Sequence, residues 1–358
     1  MSWKKSMAAA ALAATLGVTA VTGAFAAETV KTGSASLLPN VDHVQWLDAD
    51  RLIASQLTEQ GRTDYILDLA AGKYELLLDA AGASDLALSP NGSKAAYTDE
   101  SGAVYVLDLA TKTSKRISQD TNIKPELTWS SDGASLYFLQ GDKGTVINRL
   151  EVDSGAIVKV LDDKKDYKAN LAVSMGGKRF TYTLTVPPVV TAPSDKPVEE
   201  DAVAIDDSKA SQNIYQYVND PEVKDGNPAA LTNTGDDKVF VGAEPFGAES
   251  YFISTPAGEG ASSKLVSVSI DGKVKTLFAN RDVYMAKYAG GMLYALTSGP
   301  SGRNQIYAIS PVSGESQLLT TVNGTTSTFE VNKNGTIAIE TDGKFYVDLN
   351  GSWVQITQ

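Results

Sequence analysis

The feature that most restricts the fold of this chain is a phrase that returns seven times. "DYILDLAAGKYELLL" from Asp64, "AVYVLDLATKTSKRI" from Ala103, "KLVSVSIDGKVKTLF" from Lys264 and "KFYVDLNGSWVQIT" from Lys344 each hold an alternating apolar run, a turn, and a second short run. Tyr65, Tyr105, Asn148, Tyr215, Val266, Tyr307 and Tyr346 occupy one slot, at spacings of 40, 43, 67, 51, 41 and 39 residues. Upstream of the slot lies another pair of runs, as in "LALSPNGSKAAYT", "LTWSSDGASLYFL" and "FEVNKNGTIAIET". Asn91-Gly92, Asp132-Gly133 and Asn334-Gly335 tolerate the positive φ of a tight hairpin turn. Each unit is therefore four short antiparallel strands in roughly 40 residues, the size of one propeller blade. A single such sheet has two open faces. A ring of them stacks face to face and buries a continuous core. The sequence predicts an all-β, seven-bladed β-propeller with four-stranded antiparallel blades over residues 41–358. The blades start near Val41, Ala83, Ile123, Lys168, Asp236, Asp282 and Thr325, and six blades is the alternative count. The last unit holds all four of its strands. Residues 27–40 are expected to be a flexible lead or an edge strand that helps to lock the ring.

The motif "LSPNGSKAAYTDESGAVYVLDLATKTSKRI" resembles the repeat of the TolB-type, WD40-like (PD40-like) propellers. Those units read roughly Ser-Pro-Asp-Gly, an apolar strand, a Gly turn and an Ile-Tyr run. Ser89, Pro90 and Gly92 match, with Asn91 in place of Asp, and Trp129, Ser130, Asp132 and Gly133 match in the next unit. The resemblance is clear from about Val41 to Leu161 and falls to pattern level beyond. It implies the architecture and little about function, because many unrelated proteins carry such propellers. TolB-like proteins also carry an N-terminal α/β domain, for which the stretch from Ala27 to Val41 has no room, so no TolB interface residue is carried over.

Blade 4 departs from the repeat. "PPVVTAPSDKPVEEDAVAIDDSKASQ", Pro187 to Gln212, stretches the unit by some 25 residues. Its prolines forbid a central strand. The segment is expected to join the second and third strands of its blade, to lie extended and solvated, and to lean over one end of the central channel. Its acids Glu199, Glu200, Asp201, Asp206 and Asp207 are the candidate binding residues, and they could take calcium, since hard cations accept carboxylate oxygens as ligands. They lack the ligand spacing of an EF-hand loop, so no resident metal or other cofactor is assigned. A second expansion, "NDPEVKDGNP", follows from Asn219.

Lys4 and Lys5, an apolar small-residue run, and Ala24-Phe25-Ala26 read as a secretory signal over residues 1–26. Its removal takes two lysines from a formal net charge of −12, leaving −14. An acidic surface of that size disfavours nucleic acid and anionic lipid. The chain has no cysteine, so no disulfide framework. Cleavage leaves no membrane span, and the mature protein is expected to be a monomer outside the cytoplasm: secreted, at the cell surface or envelope, or periplasmic in a Gram-negative source.

No catalytic residue is assigned. His43 is the one histidine, and there is no G-x-S-x-G elbow and no H-E-x-x-H pair. Tyr284 and Tyr288 are aromatics that either pack between blades or face a ligand. "TSGPSGRNQ" is a long turn with Arg303 at its tip. The expectation is a non-catalytic binding or scaffold protein recognising a protein or glycan. The alternatives are a carboxylate-dependent carbohydrate hydrolase or lyase, and a propeller that senses for or regulates a neighbouring enzyme.

Overall fold

The computed structural model describes residues 37–59, 61–191, 204–206, 208, 210–220, 222 and 227–358. Seven four-stranded antiparallel sheets follow one another along the chain. Blade 1 is β1(His43–Trp46), β2(Arg51–Thr58), β3(Gly61–Asp68) and β4(Lys73–Ala80). Blade 2 is β5(Ala87–Leu88), β6(Lys94–Thr98), β7(Val104–Asp108) and β8(Thr113–Arg116); blade 3 is β9(Leu127–Trp129), β10(Ser135–Gln140), β11(Val146–Glu151) and β12(Ile157–Leu161). Blade 4 is β13(Lys168–Val173), β14(Arg179–Val186), β17(Ser211–Val218) and β18(Ala229–Ala230), interrupted by the hairpin β15(Val189–Thr191) and β16(Ala204–Asp206). Blade 5 is β19(Asp237–Ala243), β20(Glu249–Thr255), β21(Lys264–Ser269) and β22(Val274–Phe278). Blade 6 is β23(Val283–Ala289), β24(Met292–Ser298), β25(Asn304–Ile309) and β26(Ser316–Val322); blade 7 is β27(Thr326–Val331), β28(Ile337–Thr341), β29(Lys344–Leu349) and β30(Ser352–Gln355). The seven-blade reading holds and the six-blade count does not.

From blade 2 round through blade 7 to blade 1 the first strands of neighbouring blades touch one another and form the wall of the central channel. The recurrent slot falls on the third strand of every blade. In two blades its tyrosine stacks directly on the cross-strand tyrosine: Tyr105 on Tyr97 at 5.3 Å between ring centres, and Tyr215 on Tyr182 at 6.0 Å. Such cross-strand aromatic pairs hold the two faces of a sheet in register.

The core is seven clusters, one for each seam between blades. Leu47, Ile53, Ile66 and Leu77 of blade 1 meet Leu86, Tyr97 and Leu107 of blade 2. The last seam is built the same way: Val44, Leu52, Ala54 and Leu67 of blade 1 pack on Ala338, Phe345, Val347 and Ile356 from the C-terminal end. Blade 7 takes all four strands from one continuous segment, so the ring closes with no strand exchanged. Besides the core, closure among the described residues rests on a parallel bridge between Leu38 and Thr357, a Gln358 N–H donated to the Leu38 carbonyl at 3.1 Å, a Tyr74 hydroxyl donated to the Ile356 carbonyl, and an Asn332 side-chain amide donated to the Ala49 carbonyl at 3.2 Å. The described end of the lead segment thus locks the ring through one bridge rather than a full edge strand.

The weakest seam is elsewhere. Between blades 4 and 5 the cluster holds only Ile214, Leu231, Phe252, Val266 and Val268 fully buried. The reason is local: the outer strand of blade 4 has two residues, both alanine, and both exposed. Amide hydrogen exchange should therefore show the seam along Leu231 and β19 opening at lower free energy than the closing seam along Val44 and Phe345. Equal protection at the two seams would contradict this ranking.

β14 and β17 pair over eight residues, from Arg179↔Val218 to Val186↔Ser211, so the blade is complete without the insertion. Ser211 and Gln212, read from the sequence as part of the insertion, are the start of β17. Where a wholly extended segment was expected, the described part forms a ribbon, Val189↔Asp206 to Thr191↔Ala204. Replacing Pro188–Lys209 by a short Gly-Ser link should give a folded ring whose melting temperature stays within about 4 °C of the parent, the shift of roughly 1 kcal/mol or less in a large domain. Loss of the cooperative transition in calorimetry would show the ribbon to be structural.

Candidate functional site

Strand direction alternates, so the links between second and third strands, and the links from one blade to the next, share one face of the disc. This upper face carries the blade 4 ribbon. Its charged side chains fall into a recurring structural pattern. Lys124, Lys168 and Lys238 each stand at or just before the first strand of a blade with side chains 0%, 0% and 1% exposed. A buried ammonium must satisfy three donors. Each finds two close backbone carbonyls and one aspartate, and Lys124 has a third, longer carbonyl contact to Asp120 at 3.4 Å. Lys124 takes Gly102 and Asn122 at 2.8 and 2.7 Å with Asp120 at 3.0 Å. Lys168 takes Thr145 at 2.9 Å and Lys165, with Asp163 at 2.7 Å. Lys238 takes Thr234 and Asp236 carbonyls at 3.0 and 2.8 Å and the Asp236 carboxylate at 3.0 Å. Two of these lysines reach back to the preceding blade. Gly102 and Gly144 permit that approach: with φ of +81° and +58°, a Cβ there would lie 2.5 and 2.3 Å from the Asn122 and Lys168 carbonyl oxygens. Blade 1 uses Arg62 instead, held by Asp64 at 3.0 Å and paired with Asp85 across the seam.

These pairings set the acids. Burial pushes Asp236 up, but the Ser254 and Thr234 hydroxyls and the Lys238 ammonium outweigh it and hold the carboxyl below its ordinary value. Asp120 follows the same balance, burial against the Asn122 N–H and Lys124. A depressed native value means stability that is complete above the unfolded pKa of about 3.9 and is lost as pH falls through the lower native one. Asp236→Asn should therefore cost about 3 kcal/mol at pH 7, where it leaves a buried ammonium without its carboxylate. The cost should shrink as pH falls below the unfolded value of about 3.9, where the parent begins to lose the same pairing. Calorimetry across pH checks it, and a cost independent of pH would refute the assignment.

The channel rim on the upper face is asymmetric. The first strands of blades 1, 2 and 3 pair regularly, while those of blades 4, 5, 6 and 7 each contain a β-bulge. In blade 6 the extra residue is Tyr284, between Val283↔Thr297 and Met285↔Leu296; in blade 7 it is Ser327, between Thr326↔Thr341 and Thr328↔Glu340. A bulge re-aims a side chain out of the sheet's alternation. Tyr284 is 53% exposed, Ser327 is exposed, and Val239 near the top of β19 is 61% exposed. In blade 4 the bulge is fixed by the Glu126 carboxylate, which accepts the Asn170 and Leu171 N–H groups at 2.8 and 2.9 Å. Below the rim Lys287 pairs with Glu330 at 2.5 Å across the seam between blades 6 and 7. Of the two tyrosines flagged from sequence, Tyr288 is a packing residue, 4.9 Å from the Tyr251 ring across the seam between blades 5 and 6. Tyr284 faces the rim.

Among the described residues with large exposed apolar side chains, nine of nineteen lie on the upper face. They are Val239 and Tyr284 at the rim, Val186, Val189, Val190 and Ile205 on or beside the ribbon, and Leu57, Ile123 and Tyr167 farther out. Of the five acids proposed from sequence, Glu199, Glu200, Asp201 and Asp207 lie outside the described residues. Asp206 is exposed on β16, where its carboxylate accepts the Ser208 N–H at 3.0 Å. The apolar component was missed because alternation in an insertion bounded by prolines gave no core to attach it to. Among the described residues no group of three acids or His is placed to hold a metal ion. The Asp42 carboxylate beside His43 is engaged by the Leu57 N–H. The turn around Arg303 contains a single 3-10 turn, Pro300–Gly302, as a long turn should.

No family model and no curated protein sequence matches the chain. Solved structures do. The propeller domain of the Trilobed protease from Pyrococcus furiosus, described as having an open velcro topology, superposes with a TM-score of 0.59 at 14% identity, covering 90% of this chain and 96% of that one. The shared property is the fold. An acylaminoacyl peptidase from Pyrococcus horikoshii gives 0.59 at 15% identity over 89% of this chain, which spans about half (52%) of that protein. Oligogalacturonate lyase from Vibrio parahaemolyticus gives 0.60 at 11% identity, covering 87% and 86% of the two chains. Peptidases and a lyase thus share the architecture with this chain.

Proposed function

We propose that this protein is a non-catalytic binding module of the TolB-type propeller class, exported to the cell surface or envelope, and that its upper face holds a protein partner. The observation that carries the reading is the apolar character of that face. Val239 and Tyr284 stand on adjacent blades at the channel rim, and the Val190↔Ile205 pair stands on the ribbon on the same side. Exposed apolar clusters on an otherwise charged surface are the usual mark of a protein interface, and an aromatic flanked by aliphatic groups is the usual anchor. The net charge of −12 favours a partner with a cationic rim. The signal at residues 1–26 supports export, and the monomer expectation fits a ring that already buries all seven of its seams.

The enzymatic alternative needs a carboxyl held protonated near neutral pH. Among the described residues the one carboxyl driven upward is Asp348, raised by burial against the opposing Gly351 N–H, and it lies in an outer turn of blade 7 on the lower face. Asp99, Asp120 and Asp236 on the upper face all shift downward.

The test is a Val239→Ser/Tyr284→Ala double variant compared with the parent in affinity capture from envelope extract, each retained protein then measured as a purified pair. The expected result is an unchanged melting temperature and an affinity weaker by about 2 kcal/mol or more, the loss typical of anchor residues. Turnover of any polysaccharide or peptide, abolished by a single Asp or Glu change, would overturn the reading.

A further inference from the structure

The seam between blades 4 and 5 holds a cleft of about 620 Å³, within the range of small-ligand sites. It exists because β18 stops after Ala229–Ala230. In the other blades a longer outer strand reaches over the next sheet. Here the outer part of the blade 5 face, Val274 and Thr276, is left exposed, and the cleft opens there above a buried base of Leu231, Phe252 and Val266. Register gives its floor and walls: Phe252↔Val266 and Ser254↔Lys264 lie side by side on β20 and β21, and Val266↔Thr276 and Val268↔Val274 continue the same face onto β22. Leu231 closes the inner side, with Phe252 and Val266 as the apolar floor and Val274, 59% exposed, as the outer wall.

One end is polar. The Ser254 hydroxyl donates to the Asp236 carboxylate at 2.5 Å, and that carboxylate also meets the buried Lys238 ammonium at 3.0 Å. Lys264 lines this end and has no ion-pair partner among the described residues. Two ammonium groups against one carboxylate leave one positive charge unneutralised, in a chain whose net charge is −12. Asn233 and Thr276 flank it on the rim.

We infer that this cleft is a second binding site, distinct from the apolar rim around Val239 and Tyr284, for a carboxylate carried next to a branched or aromatic apolar group. The carboxylate pairs with Lys264, Asn233 and Thr276 supply hydrogen bonds, and the apolar group packs on the exposed Val274 above the buried base of Phe252, Val266 and Leu231. A free small acid and the C-terminal residue of a peptide present this same chemistry.

The probes are N-acetyl-L-leucine, its neutral amide, 4-methylpentanoate, and the peptide Ala-Ala-Leu, titrated into protein labelled at Leu and Val methyl groups. The Leu231, Val266 and Val274 signals should shift with the acids, and the amide should bind about tenfold more weakly for want of the charge-assisted bond. Tighter binding of Ala-Ala-Leu than of 4-methylpentanoate identifies a peptide terminus as the occupant, and the reverse identifies a free acid. Lys264→Met, with an otherwise parental methyl spectrum, should weaken the acids to the level of the amide. Thr276→Trp, which fills the rim from an exposed position, should abolish binding and serves if the first variant does not fold. Shifts centred elsewhere, an amide that binds as well as the acid, or no shift up to about 10 mM, below the weak end of useful affinity, would overturn the site. None of these outcomes depends on the upper-face reading, whose variants leave the cleft untouched.

Discussion

Everything in this molecule depends on the burial of two faces per sheet. A four-stranded blade of about 40 residues exposes apolar side chains above and below, and no single blade covers either face for its neighbour's benefit and its own at once. The ring does. Each seam cluster draws on both flanking sheets, so every blade is stabilised twice and the domain has no terminal sheet. Closure makes this plain. Many rings could be imagined as held by an exchanged strand, yet here Val44, Leu52 and Leu67 simply meet Phe345 and Val347 as any other pair of blades would, with one parallel bridge beside them. Apolar contact supplies the closing energy, at roughly 25 cal/mol for each Å² removed from water, and the polar bridge supplies alignment.

The polar groups then solve a problem that burial creates. Links between blades on the upper face bring backbone carbonyls together at the seams, where water is excluded. A lysine ammonium with three donors answers two carbonyls and an aspartate in one step, and the chain uses that answer three times. The glycine turns at Gly102 and Gly144 belong to the same solution, since a side chain there would collide with the link that carries the lysine. Buried charge here fixes the register of one blade against the next. The ionised acids that result are poorly suited to proton transfer.

The fold was legible because the repeat is written in period-2 alternation and hairpin turns, which are local signals. Blade starts expected at Lys168, Asp236, Asp282 and Thr325 fall within one residue of β13, β19, β23 and β27. Blades 1 to 3 start two to four residues after the expected points, because their inner strands are short. The rim was not legible. Tyr284 and Tyr288 sit in the same strand with the same alternation, and only the bulge, which depends on Thr297 and Leu296 across the ladder, sends one outward and leaves the other in the core. The lysine pattern was equally hidden, since Lys124, Lys168 and Lys238 follow their aspartates at intervals of four, five and two residues.

Function in a repeat fold collects where the repeat is broken, because positions that keep the repeat are already committed to the seams. Three breaks occur here, and they are not scattered. The bulged first strands run through consecutive blades 4 to 7, the inserted ribbon belongs to blade 4, and the truncated outer strand belongs to blade 4 as well. Blades 1 to 3, where the motif is most regular, supply the half-ring whose first strands pair without a bulge. The other half carries the exposed rim residues, the ribbon, and a cleft left by a strand that stops early. A binding surface needs rigid support and local freedom side by side. The ring provides both by keeping the repeat strict on one side and relaxing it on the other, and the seam of lowest core content lies between the two blades that carry most of the departures.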